Sequence, residues 1–458
     1  MPIMRSFCFF KLSWPAAVLL LAVGCHTDRS TPEKPAEAGP GPDAAAVSWM
    51  RQSLLPVRST EPGGDAGDLA PLLDKARGTR VVALGEATHG THEFFRMKHR
   101  IFQSLVDERG FDLFVLEAGG PEMDRLDDFV TSGTGDPERL LTDLGYWPWR
   151  ARELASLFRW IRQHNLQHNQ TAGEKPVRVA GIDMQDPRAA SAEVLAFLHA
   201  VDPAAQQQAD TALACLRPFA TPADINALYR GYLQRPPEQQ SACRAGLQSL
   251  SDRILALRGK AAAGEGMRAM ADARTLVQFE QILRFRGLRD RFMADNLTWL
   301  LEQRYPGSRA ALWSHNAHVM RQPGRLGGAL ERRLGNQAVL HLGFTFYSGA
   351  FNAVEQKENG PFGGLRTFQA EPPPADSWET LLHTTGLPRG LLDLGAGAGP
   401  VPSWIDRPHP LRRIGASYGG DPQASRALAD LRRELDFLVY VEQTTPSDLL
   451  PSDHPGSP

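Results

Sequence analysis

The stretch that decides the fold is "VVALGEATHGTHEFF", which runs from Val81 to Phe95. Its first four residues are apolar, and a short apolar run of this kind is typical of a buried strand. The residues that follow are rich in ionisable groups: Glu86, His89, His92 and Glu93. A simple turn needs Gly, Asn or Asp rather than this density of proton-transfer groups. The stretch therefore predicts a core strand that delivers chemically active side chains to the loop behind it.

Outward from this stretch, apolar runs alternate with amphipathic segments, which indicates an α/β fold. The predicted strands are "RVVALGE", "FDLFVLEAG", "VRVAGIDM", "RAALWSH", "AVLHLGFTF" and "DFLVYVE". The first four show little polar alternation, as expected for a mostly parallel central sheet flanked by helices on both faces. The segment "HEFFRMKHRIFQSLVDERG" predicts a helix, because its apolar residues recur at helical spacing and Gly110 ends it.

The chain of 458 residues is long enough for a large domain with insertions. Residues 189–304 show helical patterns and no convincing strand, so we expect a large all-helical insertion that caps the cleft at the sheet. The loop-like residues 355–376 are a candidate lid. The other expected divisions are a signal peptide over 1–25, a disordered linker over 26–47, the α/β domain over 48–188 and 305–445, and a disordered tail over 446–458.

The N-terminal segment "MPIMRSFCFFKLSWPAAVLLLAVGC" has Arg5 and Lys11 before an apolar core from Ala16 to Val23. That core is too short to span a bilayer and is typical of a secretory signal. The ending "LAVGC" resembles a bacterial lipoprotein signal, with Cys25 as the acylated residue and Ala22 where Leu is usual. An ordinary signal peptide is the alternative. We expect an exported protein that a lipid at Cys25 anchors to the membrane of the cell envelope.

Charge and cysteine content restrict the partners and the compartment. The formal net charge is -2, so a strongly basic surface is absent and nucleic acid is not an expected partner. Once Cys8 and Cys25 are assigned to the signal, Cys215 and Cys243 are left. Two remaining cysteines in an exported protein favour a disulfide, and two buried free thiols are the alternative.

Polar side chains follow four of the predicted strands at the point where each strand ends. In order along the chain they are Glu86 with His89, Glu117, Asp183, and His315 with His318. In open α/β sheets ligands bind beyond the carboxyl ends of the strands. One such group would be explained by a cap or a turn, whereas four together predict a shared polar cavity.

Water is the nucleophile that the sequence favours. No G-x-S-x-G elbow follows a predicted strand, because the one match to the pattern, "GASYG" over residues 415–419, lies between two predicted strands, and the mature cysteines fall in the helical segment. An imidazole or a metal ion could activate the water, and histidine has the side-chain pKa nearest to neutral pH. Glu86 or Glu117 could orient the imidazole. The oxyanion donor stays open among three residues: His315, His318 and Lys98.

The segment "GEATHGTHEFFRMKHRIFQSLVDERGFDLFVLEAG", together with the distant "WSHNAHV", resembles the erythromycin esterase family. The likeness extends from about Trp49 to Val441 and includes "YWPWRARELASLFRWIRQHN", "GIDMQ", "RDRFMADNLTWL" and "DFLVYVEQTTP". The resemblance implies an α/β fold with a helical insertion and a cleft between the two. It also implies hydrolysis of the lactone ester of fourteen-membered macrolides, and with it macrolide resistance.

The resemblance further implies roles for individual residues. His89 corresponds to a general base that acts on water, without a covalent intermediate and without a required metal. Glu86 and Glu117 correspond to the essential carboxylates of the family, and His315 and His318 to its later histidine pair. Some members have Arg nine residues after the base, where this chain has Lys98. Lysine keeps the charge but loses the planar, two-pronged recognition of arginine. We expect Lys98 to contact substrate.

Three more residues are candidate substrate contacts. Trp147 and Trp149 predict an apolar wall, with core packing as the alternative. Asp183 is expected in the substrate site, with capping of the following helix as the alternative. The leading hypothesis is thus an exported hydrolase of a small-molecule ester or lactone that needs no cofactor. The alternatives are a metal-dependent hydrolase that uses the same His and Glu residues and a surface binding protein without turnover. A glycosidase has only the paired glutamates in its favour.

Overall fold

The computed structural model describes residues 40–168, 175–219, 225–357, 362–395 and 399–451. Each strand that the sequence predicts is present within these ranges. The strands are β1 (Leu54–Pro56), β2 (Val81–Leu84), β3 (Leu113–Gly119), β4 (Arg178–Asp183), β5 (Ala310–Trp313), β6 (Val339–Glu355), β7 (Leu365–Ala370), β8 (Arg389–Asp393), β9 (His409–Arg412), β10 (Ser417–Tyr418), β11 (Arg426–Ala429) and β12 (Phe437–Thr444).

The α-helices lie mainly between these strands and in the middle of the chain. They are α1 (Ala44–Ser53), α2 (Ala70–Ala76), α3 (His92–Arg109), α4 (Gly120–Ser132), α5 (Pro137–Asp143), α6 (Arg152–His168), α7 (Arg188–Val201), α8 (Gln206–Leu213), α9 (Ile225–Leu233), α10 (Pro237–Leu257), α11 (Ala263–Arg284), α12 (Arg289–Trp299), α13 (Asn316–Val319), α14 (Leu326–Leu334), α15 (Trp378–His383) and α16 (Leu431–Glu434). No helix within the described ranges is long and apolar enough to cross a membrane.

The main sheet has the strand order β1-β8-β12-β6-β2-β5-β3-β4. The run from β12 to β4 is parallel throughout, and β8 and β1 are added antiparallel at one edge. The connection that leaves β2 leads to β3, which lies beyond β5 in the sheet. The connection that leaves β5 leads to β6, which lies beyond β2 in the opposite direction. This arrangement confirms the predicted mostly parallel sheet flanked by helices. It also places the ends of β2 and β5 where the strand order changes direction, the usual position of a ligand site.

Alternation along the central strands builds a separate core on each face of the sheet. In β2, Val82 and Leu84 belong to one buried cluster, whereas Val81 and Ala83 belong to the other. The first cluster includes Phe95 and Phe102 of α3, and the second includes residues of the helical segment such as Leu297. Successive side chains of a strand point to opposite faces, and both faces are apolar here because helices cover both.

Helix α3 connects β2 to β3. It begins at His92 and ends at Arg109, and Gly110 follows with a φ of 67°, a left-handed conformation that glycine adopts without strain. The predicted helix over this segment is therefore present with the end that Gly110 indicates. Because α3 packs on the sheet, the loop before it stays at the carboxyl end of β2.

Helices occupy the described part of the chain between β4 and β5, and no strand lies there. Helix α12 contacts β4, and α11 contacts α4 and α7, so this helical segment packs on the sheet beside β4. Cys215 and Cys243 form a disulfide that links the end of α8 to α10, with their Cα atoms 5.7 Å apart. The pairing that the sequence favours is thus present within the helical segment.

Two predicted disordered segments contain ordered structure. Helix α1 begins at Ala44, inside the expected linker, because the Asp43 side chain accepts a hydrogen bond from Ala46 N at 2.8 Å. The first residues of the expected tail are also ordered, since Ser447 N donates to Gly90 O and Leu450 is buried. Cys25 and the predicted signal peptide lie outside the described residues, so the lipid anchor and export stay predictions.

The segment that was expected to be a loop, residues 355–376, is not loop throughout. Strand β7 lies within it and pairs antiparallel with the outer part of β6, from Gly349 opposite Ala370 to Val354 opposite Leu365. The described ends of this segment are therefore tied to the sheet. The lid that the sequence analysis considered there is not supported over β7.

Candidate active site

The carboxyl ends of four parallel strands bring the candidate residues together. Leu84, Leu116 and Trp313 lie in register across β2, β3 and β5. The residues that directly follow these positions must therefore meet at one edge of the sheet. Glu86, His89, Glu117, Asp183 and His315 are all buried there, with exposed fractions of at most 8%.

His89 is held by a carboxylate behind it. Its Nδ1 is hydrogen bonded to Oε1 of Glu86, and the two residues lie three apart in the loop after β2. The other oxygen of Glu86, Oε2, accepts hydrogen bonds from Lys98 Nζ at 2.5 Å and from Trp313 Nε1 at 2.9 Å. A carboxylate can only accept, so Nδ1 of His89 carries the proton. The lone pair of the neutral imidazole is then on Nε2.

The open face of His89 lies between two other rings. Its ring centroid is 5.1 Å from that of His315 and 5.6 Å from that of Trp149, which meets it edge-on. In the described part of the chain, no hydrogen bond engages Nε2 of His89. The imidazole is thus oriented at one nitrogen and available at the other, which is the arrangement that a general base requires.

Lys98 lies behind Glu86 and not in the cleft. Its side chain is 0% exposed, and its Nζ stands 4.2 Å from the centroid of the Trp313 ring. Burial lowers the pKa of Lys98 to about 8, and the Glu86 carboxylate opposes that shift. The prediction that Lys98 contacts substrate is therefore wrong. Lys98 neutralises the charge of the carboxylate that orients His89.

Glu117 is fixed from three directions. Its Oε2 accepts from Ser314 Oγ at 2.5 Å and from the backbone amide of His315 at 3.0 Å, and its Oε1 accepts from Arg289 Nη2 at 2.6 Å. Burial would raise the pKa of Glu117, but attraction to His318 in its charged form, to Arg289 and to His89 in its charged form outweighs it and holds the pKa well below its usual range. Glu117 is therefore an ionised, immobile carboxylate.

Arg289, the first residue of α12, connects the polar side chains of this edge. It donates to Asp183 through Nε at 3.0 Å and Nη2 at 2.7 Å, in addition to its bond with Glu117. Its Nη1 lies 3.1 Å from Nε2 of His318. A guanidinium can only donate, so Nε2 of neutral His318 accepts, and its Nδ1–H donates to Asp290 Oδ1 at 2.7 Å.

Sequence reasoning missed Arg289 and Asp290. Both stand in "RDRFMADNLTWL", a segment that served only to support the family likeness. A usable signal was present, because two adjacent ionisable residues open an amphipathic helix that must return the chain to β5. The sequence alone did not show that this helix begins at the sheet edge and not in solvent.

The two later histidines have different surroundings. The Nδ1 of His315 accepts from Ala317 N at 3.2 Å, which caps α13, and its Nε2 lies 3.4 Å from the carbonyl oxygen of Ala87. Burial lowers the pKa of His315 well below its usual value, and repulsion from His89 and His318 in their charged forms adds to that effect. His315 is therefore neutral, with both nitrogens facing backbone groups, whereas the His318 side chain is 15% exposed.

The remaining predicted substrate contacts are interior residues. Trp147 and Trp149 are each 3% exposed, and Trp149 Nε1 donates to the backbone oxygen of Glu117 at 3.1 Å. Both oxygens of Asp183 accept from Arg289, and they also accept from Met184 N and Gln185 Nε2. These contacts correct the prediction of an apolar tryptophan wall and of direct substrate binding by Asp183. Trp149 instead contacts His89 and Glu117, Asp183 holds Arg289, and Trp147 is packed in the interior, as the core-packing alternative expected.

The carboxylates of the site face cations. Glu86 is paired with Lys98, whereas Glu117 and Asp183 share Arg289. Among the described residues, no group of three or more His, Cys, Asp or Glu side chains is arranged to hold a metal ion. The lone pairs that could bind a cation are thus largely used by ammonium and guanidinium groups.

Comparisons with known proteins agree with this architecture. The sequence model of the family described as erythromycin esterase matches residues 106–444, a range that includes Glu117, Arg289 and His318 and begins after His89. The chain is 24% identical to the erythromycin esterase type II of Escherichia coli, over 88% of this chain and 98% of the relative.

Solved structures show the same fold. A crystal structure of a Bacillus cereus protein superimposes with a TM-score of 0.72 at 25% identity, covering 89% of this chain and 98% of that one. A mutant erythromycin esterase in its open conformation superimposes with a TM-score of 0.65 at 18% identity, covering 85% and 97%.

Proposed function

The chain belongs to the erythromycin esterase family, and we propose that it is a hydrolase that cleaves a carboxylic ester or lactone with water activated by His89. One observation carries the proposal. The Nδ1 of His89 is tied to the buried Glu86–Lys98 pair, while its Nε2 has no hydrogen bond within the described residues. An imidazole held in this way is a base of fixed tautomer.

The reaction begins with proton transfer from water to Nε2 of His89. The oxygen of that water attacks the carbonyl carbon of the ester, and the carbonyl oxygen takes the negative charge of the tetrahedral intermediate. The Glu86 carboxylate stabilises the imidazolium that forms. The intermediate then expels the alkoxide, which takes the proton from His89, so that an acid and an alcohol are released. General-base assistance of this kind contributes about 10²–10⁴-fold in rate.

Arg289 is the group that can stabilise the oxyanion. Its Nη1 donates to Nε2 of His318 at 3.1 Å and carries a second proton, and its side chain is 18% exposed. Nε2 of His318 cannot donate while it accepts from Arg289. One oxyanion donor contributes about 3 kcal/mol to transition-state stabilisation. His315 is not suited to this role, because both of its nitrogens face backbone groups.

A macrolide lactone is the first substrate to test, because the relative from Escherichia coli carries an erythromycin esterase name. The test incubates purified protein with erythromycin and with simple esters and follows the addition of one water by mass spectrometry. Expression in a macrolide-sensitive host then tests whether the activity confers resistance. Binding without a mass change would favour the surface binding alternative.

The decisive variant is His89→Gln. We expect kcat to fall by about 10²–10⁴-fold with an unchanged circular dichroism spectrum, since only the base is lost. His199→Gln is the matched control, because His199 is an exposed histidine on α7 whose Nδ1 contacts Gln206. Near-normal turnover by the His89 variant would refute the proposal. Loss of activity on dialysis against a chelator, restored by a divalent metal, would favour the metal-dependent alternative.

We also propose that the protein acts outside the cytoplasm on a lipid anchor at Cys25. The support is the N-terminal sequence, with its basic residues, short apolar core and "LAVGC" ending. In cell fractionation, the wild type is expected with the membranes and Cys25→Ala away from them. Equal distribution of the two proteins would exclude lipidation at this residue.

A further inference from the structure

Arg413 is a partly buried arginine whose guanidinium lacks an acceptor in the described part of the chain. The hydrogen bond that Arg413 makes there joins its backbone amide to Ser425 O at 2.7 Å. Burial lowers the pKa of Arg413, repulsion from Arg325 lowers it further, and only Glu434 opposes these effects. A partly desolvated cation without a hydrogen-bonded anion is unfavourable, so this position is suited to an anion from outside.

Arg413 stands directly beside the loop that carries the proposed base. The next residue, Ile414, donates its amide to Ala87 O at 2.7 Å, and the amide of His89 lies 3.3 Å from Gly415 O. The backbone of residues 413–415 is therefore bonded to the His89 loop on both sides of Thr88. An anion at Arg413 would lie along the same edge of the sheet as the imidazole.

A second cation extends this positive edge towards His318. Arg325 repels Arg413, and its Nη1 lies 3.4 Å from Asp290 Oδ2. Asp290 in turn holds Nδ1 of His318. Arg325 thus lies near both Arg413 and the Asp290–His318 pair.

Arg413 also lines a polar pocket with a volume of about 670 Å³. The groups in its wall that can donate hydrogen bonds include Gln356, Lys357, Arg413, Ser417 and Ser425. One carboxylate, Asp421, also lines it, and its Oδ1 accepts from the amide of Gln423 at 2.8 Å. The wall therefore offers two cations and three hydroxyl groups against a single carboxylate, although Ser425 Oγ already donates to Pro422 O at 3.0 Å.

We propose that this pocket, here called the Arg413 pocket, binds a carboxylate or phosphate group of the substrate. The natural substrate would then be an ester that carries an anionic substituent away from the scissile bond. This inference rests on the proposed ester hydrolysis for its meaning, but the pocket itself can be tested without turnover. Arginine is well suited to the task, because its planar fork matches the oxygens of carboxylate and phosphate.

The first experiment measures binding alone. Inorganic phosphate and succinate are titrated calorimetrically into the full chain and into Arg413→Gln, Arg413→Lys and Arg217→Gln. We expect Arg413→Gln to weaken binding by about 10-fold to 100-fold, the usual contribution of a hydrogen bond to a charged group. Arg413→Lys should retain part of the affinity. Arg217→Gln is the control, because it removes an arginine that is 60% exposed and paired with Asp210.

Equal binding by the wild type and Arg413→Gln, or no binding by the wild type, would overturn the proposal. A preference of the wild type for phosphate over succinate would identify a phosphorylated substrate, and the reverse a carboxylate. Either preference would support the binding of an anion in the Arg413 pocket.

The second experiment uses two esters that differ in one end group: para-nitrophenyl butyrate and para-nitrophenyl hemisuccinate. We expect the wild type to have a higher kcat/KM for the hemisuccinate than for the butyrate. In Arg413→Gln the ratio of these two kcat/KM values should fall towards one, mainly because KM for the hemisuccinate rises. The same ratio in both proteins would refute the role of Arg413 in specificity. Binding of phosphate at Arg413 without hydrolysis of any ester would leave the pocket intact and overturn the proposed function instead.

Discussion

Glu86 is an ionised side chain at a position from which water is excluded. Its side chain is 0% exposed, and so is that of Lys98, its partner. The desolvation of such a pair costs several kcal/mol per ion, and mutual attraction with further hydrogen bonds offsets it. Trp313 supplies one of those hydrogen bonds and a ring face for the ammonium group. The proposed base His89 thus depends on Lys98, a residue that is buried behind Glu86.

We predict that Lys98→Met lowers the free energy of unfolding by about 3–5 kcal/mol, because it leaves a buried carboxylate without its cation. We also expect kcat to fall, since Glu86 would lose the ammonium group that holds its Oε2 and would orient Nδ1 of His89 less firmly. Urea denaturation measures the first effect, and a steady-state esterase assay measures the second.

Lys75→Met is the control for this substitution. Lys75 pairs with Asp393 at 2.5 Å but is 37% exposed, so its loss should cost less than about 1 kcal/mol. If Lys98→Met were as stable and as active as Lys75→Met, the charge on Glu86 would not need compensation.

Single residues also show how far the sequence could be interpreted. Glu86, Glu117 and Asp183 were predicted to meet because each follows an apolar strand, and they do. Lys98 was misplaced, although helical spacing puts it on the same face of α3 as the apolar Ile101 and Leu105. A lysine on the apolar face of α3 indicated a buried anionic partner. Only the packing of the folded chain identifies that partner as Glu86.

At the scale of secondary structure, Glu122 in the first turn of α4 makes stability depend on pH. Burial raises its pKa to about 7; its own backbone amide, Arg125 and Arg188 oppose the shift, and Asp186 adds to it. A carboxyl with a raised pKa binds its proton more tightly in the folded protein. Its contribution to stability is therefore complete below its ordinary pKa and is lost as the pH rises through about 7.

We predict that Glu122→Gln removes part of the loss of stability between about pH 5 and pH 8. Thermal unfolding at a series of pH values should show a smaller decrease in Tm for the variant than for the wild type. Glu138→Gln, in the first turn of α5, is the control, because Glu138 is 33% exposed and lies beside Arg152 and Arg159. Parallel curves for wild type and Glu122→Gln would contradict the prediction.

The disulfide stabilises the helical segment without contacting the candidate site. It closes a loop between positions that are 28 residues apart, for which chain entropy accounts for about 3–4 kcal/mol. We predict that replacing both Cys215 and Cys243 with Ser lowers the unfolding free energy by about that amount while kcat/KM stays the same. Urea denaturation and an esterase assay measure the two effects. Unchanged stability would mean that the bridge does not constrain the unfolded chain.

The elements that the sequence did not predict share a physical reason. Strand β7 has no buried residue, and the pair β9–β11 has three buried residues among eight. Such strands lack the apolar runs by which the central strands were identified, and they form because a neighbouring edge offers hydrogen bonds. The start of α1 was missed for a different reason. The segment "DAAA" resembles linker sequence unless Asp43 is recognised as the residue that caps the helix.

At the scale of the whole molecule, the helical segment does more than cover the sheet. Arg289 begins α12 and reaches Glu117 at the end of β3 and Asp183 at the end of β4. The helical patterns of residues 189–304 predicted a helical insertion over this part of the chain. They did not indicate that Arg289 of this insertion would bond to Glu117, Asp183 and His318 at once. That arrangement depends on the angle at which α12 packs on β4.

We predict that Arg289→Met lowers the unfolding free energy by about 3–5 kcal/mol, because Glu117 and Asp183 are left buried without their cation. We expect kcat to fall by about 10²-fold or more, because a donor to the oxyanion is lost as well. Arg291→Met is the matched control, since Arg291 is on the same helix and 68% exposed. Arg289→Lys should recover stability more than kcat, because an ammonium replaces the charge but not the fork.

The same variant should change the response to acid. The pKa of Glu117 is held well below its usual range by the charges around it, Arg289 among them. A depressed carboxyl pKa contributes stability that is present above the ordinary pKa and is lost as the pH falls through the folded value. Without Arg289 that contribution shrinks, so unfolding free energies of Arg289→Met and the wild type should converge as the pH is lowered from about 6 towards 3. A constant difference across this range would mean that Arg289 stabilises the protein by packing, and that its charge does not set the state of Glu117.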